Sequence, residues 1–144
     1  MSGHVRQRLA ELRKRPPEAR ALQATEHQEQ CCVVEWWALQ HRLYGLPEFA
    51  LYAVPNAGAG AQKGQAGKMK AEGARPGIPD LVLAAPRGGF HGLYVEMKAN
   101  TRSARVSPEQ REVLAYLVQA GYRAVACFGA EAARACITSY LKCL

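Results

Sequence analysis

The sequence predicts one α/β domain whose elements follow the order α-β-β-β-α-β-α. Three observations support this fold class. A chain of 144 residues is long enough for one compact core. Its hydrophobic fraction of 49% and charged fraction of 22% are those of a globular protein. Short apolar runs of strand length also alternate with longer segments of helical apolar spacing, with no internal repeat.

The first helix is predicted to begin after Thr25, because Thr25 and Gln28 form a capping-box pair. Val33 and Trp37 follow at helical spacing. The helix is expected to end at "GLP", residues 45–47, because glycine and proline both terminate helices.

Four apolar runs have strand length: "FALYAVP", "DLVLAAP", "GLYVEMK" and "YRAVACF". The second and third are separated by Gly88-Gly89, which predicts a hairpin turn. Between the first and second, "NAGAGAQKGQAGKMKAEGARPG" indicates a basic loop with one helical stretch around Gly67–Glu72. The second main helix is predicted from the Ser107 cap and Pro108 at its first position, and "GAEAARACITSYLKCL" predicts a closing amphipathic helix.

The net charge is +7, and the basic residues are clustered. One cluster lies in residues 1–24, which we interpret as a basic N-terminal arm preceding a domain over residues 25–144. A second cluster lies between Lys63 and Arg75. Such clusters suit a polyanionic partner such as nucleic acid. They equally suit solubility, and charge alone leaves both interpretations open.

The five cysteines are odd in number and show no CxxC spacing. This argues against a disulfide framework and against a zinc site, so we expect reduced, mostly buried thiols. No apolar run approaches the roughly 20 residues of a membrane span, and the N-terminus has no apolar segment typical of a signal peptide. We therefore expect a soluble, cytoplasmic protein with no membrane partner and no small-molecule organic cofactor.

Charged residues in the predicted hairpin need an explanation. Asp80 opens its first strand, and Glu96 and Lys98 close its second. A turn centred on Gly88 places Asp80 opposite Glu96, because each lies eight residues from that centre. Directly opposed side chains have Cβ atoms roughly 5 Å apart. Strand alternation also places Glu96 and Lys98 on one face.

Two carboxylates at this separation repel each other, and a hard divalent cation with oxygen ligands removes the conflict. A bound metal polarises a phosphodiester and helps to generate hydroxide. Lys98 adds a point charge that reaches the attacking water or the scissile phosphate. The three residues are therefore suited to phosphodiester hydrolysis.

The stretch "GIPD…EMK" resembles the PD-(D/E)xK nuclease pattern, with Asp80, Glu96 and Lys98 in the matching positions. The wider arrangement "TEHQEQ…W…PN…KMKAEG…GIPDLVL…GGFHGLYVEMK…SPEQ…L…GY" resembles the virus-type replication-repair nuclease (VRR-NUC) domain. The resemblance covers roughly residues 25–142. It implies a restriction-endonuclease-like fold, with a mixed central sheet flanked by helices.

The resemblance also implies site residues beyond the hairpin. An acidic residue of the first helix joins the metal site in the family, which points to Glu26, with Glu29 as the alternative. The glutamine of "SPEQ", Gln110, is expected beside the active site, and Gly77 is expected to permit close backbone approach before Asp80. The candidate nucleic-acid contacts are Asn56, Lys63, Lys68, Lys70 and Arg75.

Each candidate also has a purely structural interpretation. Asp80 could cap a turn after Pro79, and Glu96 and Lys98 could form a solvated strand face. Glu26 could serve only the helix dipole, and Gln110 could complete a second capping box with Ser107. Their joint occurrence in the family's order favours the nuclease hypothesis.

The predicted function is a divalent-metal-dependent DNA endonuclease that uses Mg²⁺, for which Mn²⁺ can substitute. The resemblance implies a homodimer that cuts branched DNA, as a Holliday-junction resolvase does. The alternatives are a monomeric flap or nicking nuclease, a non-catalytic DNA-binding module, and a basic adaptor that binds protein.

Overall fold

The structure, a computed structural model, describes residues 23–56 and 64–144. Most of the predicted arm and Lys63 lie outside the described residues. The main helices are α1 (Glu26–Gln40), α2 (Gln65–Ala71), α3 (Pro108–Gln119) and α4 (Ala130–Leu141), and the strands are β1 (Leu51–Ala53), β2 (Leu81–Leu83), β3 (Leu93–Lys98) and β4 (Arg123–Phe128). The predicted order is therefore confirmed, and short α2 lies between β1 and β2, where a helical stretch around Gly67–Glu72 was predicted.

The four strands form one mixed sheet in the order β1-β2-β3-β4. The pairs β1–β2 and β2–β3 are antiparallel, whereas β3 and β4 are parallel. A parallel pair requires a crossover connection, and α3 supplies it. The mixed sheet flanked by helices is thus confirmed.

The main core lies between the sheet and the helices α1 and α4. Val33 and Trp37 of α1 and Ile137 of α4 are fully buried there against Val95 and Met97 of β3. Because side chains alternate along a strand, Glu96 and Lys98 lie on the opposite face of β3. Helix α3 begins on that side, where Gln110 contacts Glu96.

Both predicted capping boxes are present. Thr25 caps α1 through the backbone N–H of Gln28, and Ser107 caps α3 through the backbone N–H of Gln110. In each box the glutamine side chain accepts a hydrogen bond from the N–H of the cap residue. The starts of α1 and α3 are therefore fixed by local sequence alone.

The predicted register of the hairpin is confirmed. Leu81 pairs with Val95 and Leu83 with Leu93, so the next position places Asp80 opposite Glu96. The turn itself differs from the prediction, because Gly88 and Gly89 both have positive φ, 54° and 84°, and form a two-residue turn. The strands nevertheless pair in the predicted register. The reason is that the first side of the hairpin has one more residue than the second between the Leu83–Leu93 pair and the Arg87–Phe90 pair next to the turn.

The expectation of mostly buried thiols is wrong. Cys127 is buried and Cys136 is half-buried, but the other three cysteines are exposed: Cys31, Cys32 and Cys143. Two of these exposed thiols lie on the outer side of α1, which the other described elements do not cover. None of the helices in the described part of the chain is long and apolar enough to cross a membrane.

Candidate active site

Three carboxylates converge at the end of the sheet where β3 finishes. Asp80 directly precedes β2, Glu96 lies near the end of β3, and Glu26 is the first residue of α1. One carboxylate oxygen from each residue lies within 4.8 Å of the other two. The structure therefore brings together the three residues predicted as metal ligands.

The ammonium of Lys98 lies among these carboxylates. Its Nζ atom is 3.3 Å from Oε1 of Glu96 and 3.9 Å from Oε2 of Glu26. The side chains of Lys98 and Glu96 are only 10% and 2% exposed, so this pair interacts with little screening by water. The Glu26 side chain is 47% exposed, so its contact with Lys98 is weaker. Three carboxylates facing one ammonium leave an excess of negative charge at the site.

Glu96 is the most buried member of the cluster. Its Oε1 atom accepts a hydrogen bond of 2.6 Å from Nε2 of Gln110 as well as contacting Lys98. Its Oε2 atom is buried and has no hydrogen-bond partner. Leaving a buried charged oxygen unsatisfied is costly. Because hard divalent cations take oxygen ligands, this orphaned atom beside two further carboxylates fits such a cation.

Asp80 is held from both neighbouring strands. Its Oδ2 atom accepts a 2.7 Å hydrogen bond from the backbone N–H of Met97, across the hairpin. Its carbonyl oxygen accepts a 2.8 Å hydrogen bond from the N–H of Val54, just beyond β1. These contacts fix the carboxylate beside Glu96, and they leave its second oxygen for another partner.

Gln110 combines the two roles considered for it. Its Oε1 atom completes the capping box of α3, and its Nε2 atom donates to Glu96. The close approach predicted at Gly77 is also present. A Cβ atom added to Gly77 would lie 2.8 Å from the backbone carbon and oxygen of Glu109. Gly77 therefore allows the chain before Asp80 to contact the first turn of α3.

Of the two acidic residues considered on α1, the structure places Glu26 in the cluster. Glu29 instead accepts a 2.6 Å hydrogen bond from the backbone N–H of Ala130. This contact satisfies an N–H at the start of α4, which otherwise has no side-chain cap. Glu29 thus joins two helices and is not a member of the carboxylate cluster.

A cavity of about 480 Å³ opens onto the carboxylates. Among the predicted nucleic-acid contacts, Asn56, Lys70 and Arg75 line it. The amide of Asn56 donates to the carbonyl of Ile78, which holds the cavity wall. Lys68 does not line the cavity, and its side chain lies 4.0 Å from Glu72 on α2.

Burial changes the acidity of two members of the cluster. Desolvation and the neighbouring Asp80 raise the pKa of Glu96 to about 7, against a smaller opposing effect of Lys98. Desolvation also raises the pKa of Glu26, with Lys98 opposing and Asp80 adding to the shift. Both pKa shifts therefore come mainly from loss of hydration, and at Glu96 the repulsion from Asp80 adds to it.

The comparisons with known proteins agree with this geometry. The VRR-NUC domain family matches residues 13–131, so this chain belongs to that family of nuclease domains. A solved structure described as a VRR_NUC domain protein is 30% identical, with a TM-score of 0.67 over 83% of this chain and 90% of that chain. No curated protein matches the chain significantly. The chain is therefore a nuclease domain of α/β fold, a class that works with a divalent metal.

The segment between Lys98 and Ser107 was not among the predicted site residues, although both its ends adjoin the site. It contains Arg102 and Arg105, and Arg111 follows in the first turn of α3. The signal was present, because this basic segment joins two predicted site residues, Lys98 and Gln110.

The raised pKa of Glu96 predicts how the metal-free protein responds to pH. The folded state holds the Glu96 proton up to about pH 7, whereas the unfolded chain releases it near the ordinary value of 4.5. The free energy of unfolding should therefore fall by on the order of 1–3 kcal/mol as the pH rises from about 4 to about 8. Urea unfolding in EDTA across this range measures the change. Glu96→Gln should show a smaller decline, and identical pH profiles for the two proteins would contradict the assignment.

The close approach at Gly77 predicts the effect of adding a methyl group. Gly77→Ala should lower the free energy of unfolding by about 1–3 kcal/mol, because it combines positive-φ strain with a backbone clash. Gly73→Ala is the matched control, because Gly73 has a φ of 103° and a Cβ atom added there would meet no other atom within 4 Å. Urea unfolding of both variants separates the two effects. Equal destabilisation by the two variants would show that the close contact between α3 and Gly77 does not affect stability.

Proposed function

We propose that this chain is a divalent-metal-dependent endonuclease that hydrolyses phosphodiester bonds in branched DNA. The observation that carries the proposal is the cluster of Glu26, Asp80 and Glu96 with the Lys98 ammonium among them. The orphaned oxygen of Glu96 supports a cation at this point. The nuclease family to which the chain belongs supports the reaction class.

Glu26, Asp80 and Glu96 would hold the metal. Mg²⁺ is the proposed ion and Mn²⁺ a substitute, because the three ligands offer only oxygen atoms. When bound, such an ion polarises the phosphodiester and lowers the pKa of a bound water. Gln110 fixes the carboxylate of Glu96, and Met97 fixes that of Asp80 through its backbone N–H.

Lys98 is the proposed electrostatic catalyst. Its ammonium lies between Glu96 and Glu26 and is held at the end of β3. In this position it can stabilise negative charge that develops on the attacking oxygen or on the phosphate. Because the side chain is buried, this interaction is stronger than the same contact in water.

The basic residues around the cavity are the proposed DNA contacts. Lys70 and Arg75 line the cavity and suit phosphate oxygens, and Asn56 lies in the same wall. Lys63 and Lys68 belong to the same basic segment. We assign the arm, residues 1–24, to the DNA backbone as well, and we assign residues 25–144 to the nuclease domain.

A homodimer resembling a Holliday-junction resolvase is the proposed active form. A two-fold symmetric enzyme with paired sites matches a substrate with related symmetry. Exposed apolar side chains support an interface between copies, since Leu39, Leu43 and Phe49 are each more than 75% exposed. The alternatives are a monomeric flap or nicking nuclease, a non-catalytic DNA-binding module and a protein-binding adaptor.

Cleavage of a labelled substrate panel tests the proposal. The panel contains duplex, flap and four-way DNA, each incubated with Mg²⁺, Mn²⁺ or EDTA. Paired symmetric nicks in four-way DNA with either metal are expected, and none with EDTA. Preferential flap cleavage by a monomer would support the first alternative, and absence of cleavage with both metals would overturn the nuclease assignment.

Removing one ligand charge should abolish cleavage. Asp80→Asn and Glu96→Gln keep the shape of each side chain but remove a charge that the metal requires, so Mn²⁺ binding measured by calorimetry should also be lost. DNA binding should be retained or strengthened, because less negative charge faces the phosphates. Glu35→Gln is the matched control, since this carboxylate lies on α1 away from the cluster. Wild-type cleavage by either site variant would remove that residue from the site.

Lys98→Ala should reduce turnover by about 10²–10³-fold, the usual loss when one transition-state donor is removed. Metal binding should be roughly retained, because the three carboxylates remain. Lys98→Arg should not restore full activity, since the planar guanidinium is bulkier in a buried site. Single-turnover cleavage of four-way DNA gives the rate. A wild-type rate for Lys98→Ala would mean that this ammonium takes no part in the chemistry.

A further inference from the structure

A second group of basic side chains lies beside the carboxylate cluster, on the loop that joins β3 to α3. The loop is defined as residues 99–107, and it carries Arg102 and Arg105, with Arg111 in the following first turn. All three arginines are exposed. Both ends of the loop are fixed at the site, because Lys98 precedes it and the Ser107–Gln110 capping box closes it.

The loop holds its shape through its own hydrogen bonds. Thr101 Oγ1 accepts a bond of 3.2 Å from the backbone N–H of Ala104. Nη1 of Arg105 donates to the carbonyls of Arg102 and Ala104, at 2.6 and 2.8 Å. At the start of the loop, the Lys98 carbonyl accepts a bond of 2.8 Å from Gly129 N–H, before α4. The arginines are therefore presented by an organised segment at a defined position.

Most of the donors on these arginines face no protein acceptor. A guanidinium has five N–H donors. Arg105 uses Nη1, and Arg111 uses Nη2 to reach the carbonyl of Val106 at 3.1 Å. Across residues 23–56 and 64–144, the ion pairs within 4.0 Å involve Lys68 and Lys98. The loop arginines are thus not neutralised by a carboxylate in the described structure.

The loop leads into α3, whose Gln110 lines the same cavity as the basic residues near α2. Lys70 and Arg75 line the cavity from the chain segment that leads into β2. The loop leaves from β3, the next strand in the sheet order. Asp80 and Glu96 lie at these two neighbouring strand ends, and Gly77 packs against the start of α3. Both basic groups therefore lie on chain segments that adjoin the carboxylate cluster.

We propose that Arg102, Arg105 and Arg111 form a second phosphate-binding surface, which holds the DNA backbone beside the carboxylate cluster. The inference rests on the proposed function, because it names how the same site engages its substrate. Guanidinium groups match phosphate oxygens in a bidentate arrangement, and phosphate contacts fix the register of a nucleic acid. Together with Lys70 and Arg75, which line the cavity, these arginines would contact the backbone near the bond to be cut.

The test compares two double variants with the same loss of charge. Arg102→Gln/Arg111→Gln removes two cations from the surface and leaves Arg105 to maintain the loop. Arg42→Gln/Lys142→Gln is the control, because both side chains are exposed and follow the C-terminal ends of α1 and α4. These helices begin near the site, and α1 alone is about 20 Å long. Circular dichroism melts check that each variant folds.

Fluorescence anisotropy with a labelled DNA duplex in EDTA measures affinity over a series of salt concentrations. Each lost phosphate contact lowers the slope of log K against log salt by about 0.9. The loop variant should therefore lose about 2 from this slope and at least about tenfold in affinity, whereas the control changes much less. Arg102→Lys/Arg111→Lys should retain most of the slope, because the charge remains. Equal slopes for the loop variant and the control, or no DNA binding by the wild type, would overturn the inference.

Cleavage kinetics of the same proteins separate this inference from the proposed function. With metal present, the loop variant should raise KM and leave kcat nearly unchanged, because it loses positioning contacts and keeps the carboxylates. A lower kcat with an unchanged salt slope would assign the arginines to the chemistry and overturn the surface. The wild type could cut no substrate while the loop variant still shows a reduced salt dependence of DNA binding. In that case the nuclease proposal fails, and the proposal of a phosphate-binding surface is supported.

Discussion

The antiparallel register of β2 and β3 is the constraint on which the site depends. Side chains alternate along a strand, so a slip of one residue exchanges the two faces of the hairpin. Such a slip would move Glu96 and Lys98 into the core against Val33 and Trp37, and would remove Val95 and Met97 from it. Burying charge among apolar side chains costs far more than the hairpin gains from any alternative pairing. The apolar core therefore determines where the carboxylates lie.

The helices add a second constraint at the same edge of the sheet. Helices α1, α3 and α4 all begin there, as the contacts of Glu26, Gln110 and Ala130 show. The first turn of a helix has unpaired N–H groups and a positive dipole end. Capping boxes satisfy these groups in α1 and α3, and Glu29 satisfies one in α4. The first turns of α1 and α3 contain Glu26 and Gln110 of the site, so the positive ends of these helices offset part of the repulsion among the carboxylates.

Features encoded by neighbouring residues could be predicted from the sequence, and features set by distant contacts could not. The capping boxes depend on residues three positions apart, and the hairpin register on one turn and an apolar pattern. The choice between Glu26 and Glu29 depended on a contact between Glu29 and Ala130, 101 residues apart. The exposure of Cys31 likewise depended on which face of α1 the distant α4 covers. No local pattern contains this information.

The energetics of Glu96 and Lys98 argue that this buried pair contributes little to stability. A buried ion pair often contributes no more than well-packed apolar residues of similar volume, because both charges lose their hydration. Here the net contribution of the pair to stability is smaller still, because one oxygen of Glu96 has no hydrogen-bond partner and Asp80 repels Glu96. Apolar side chains at these positions would give a more stable sheet. The clustered carboxylates therefore lower the stability of the metal-free protein. A cation that binds the folded state would restore part of this lost stability.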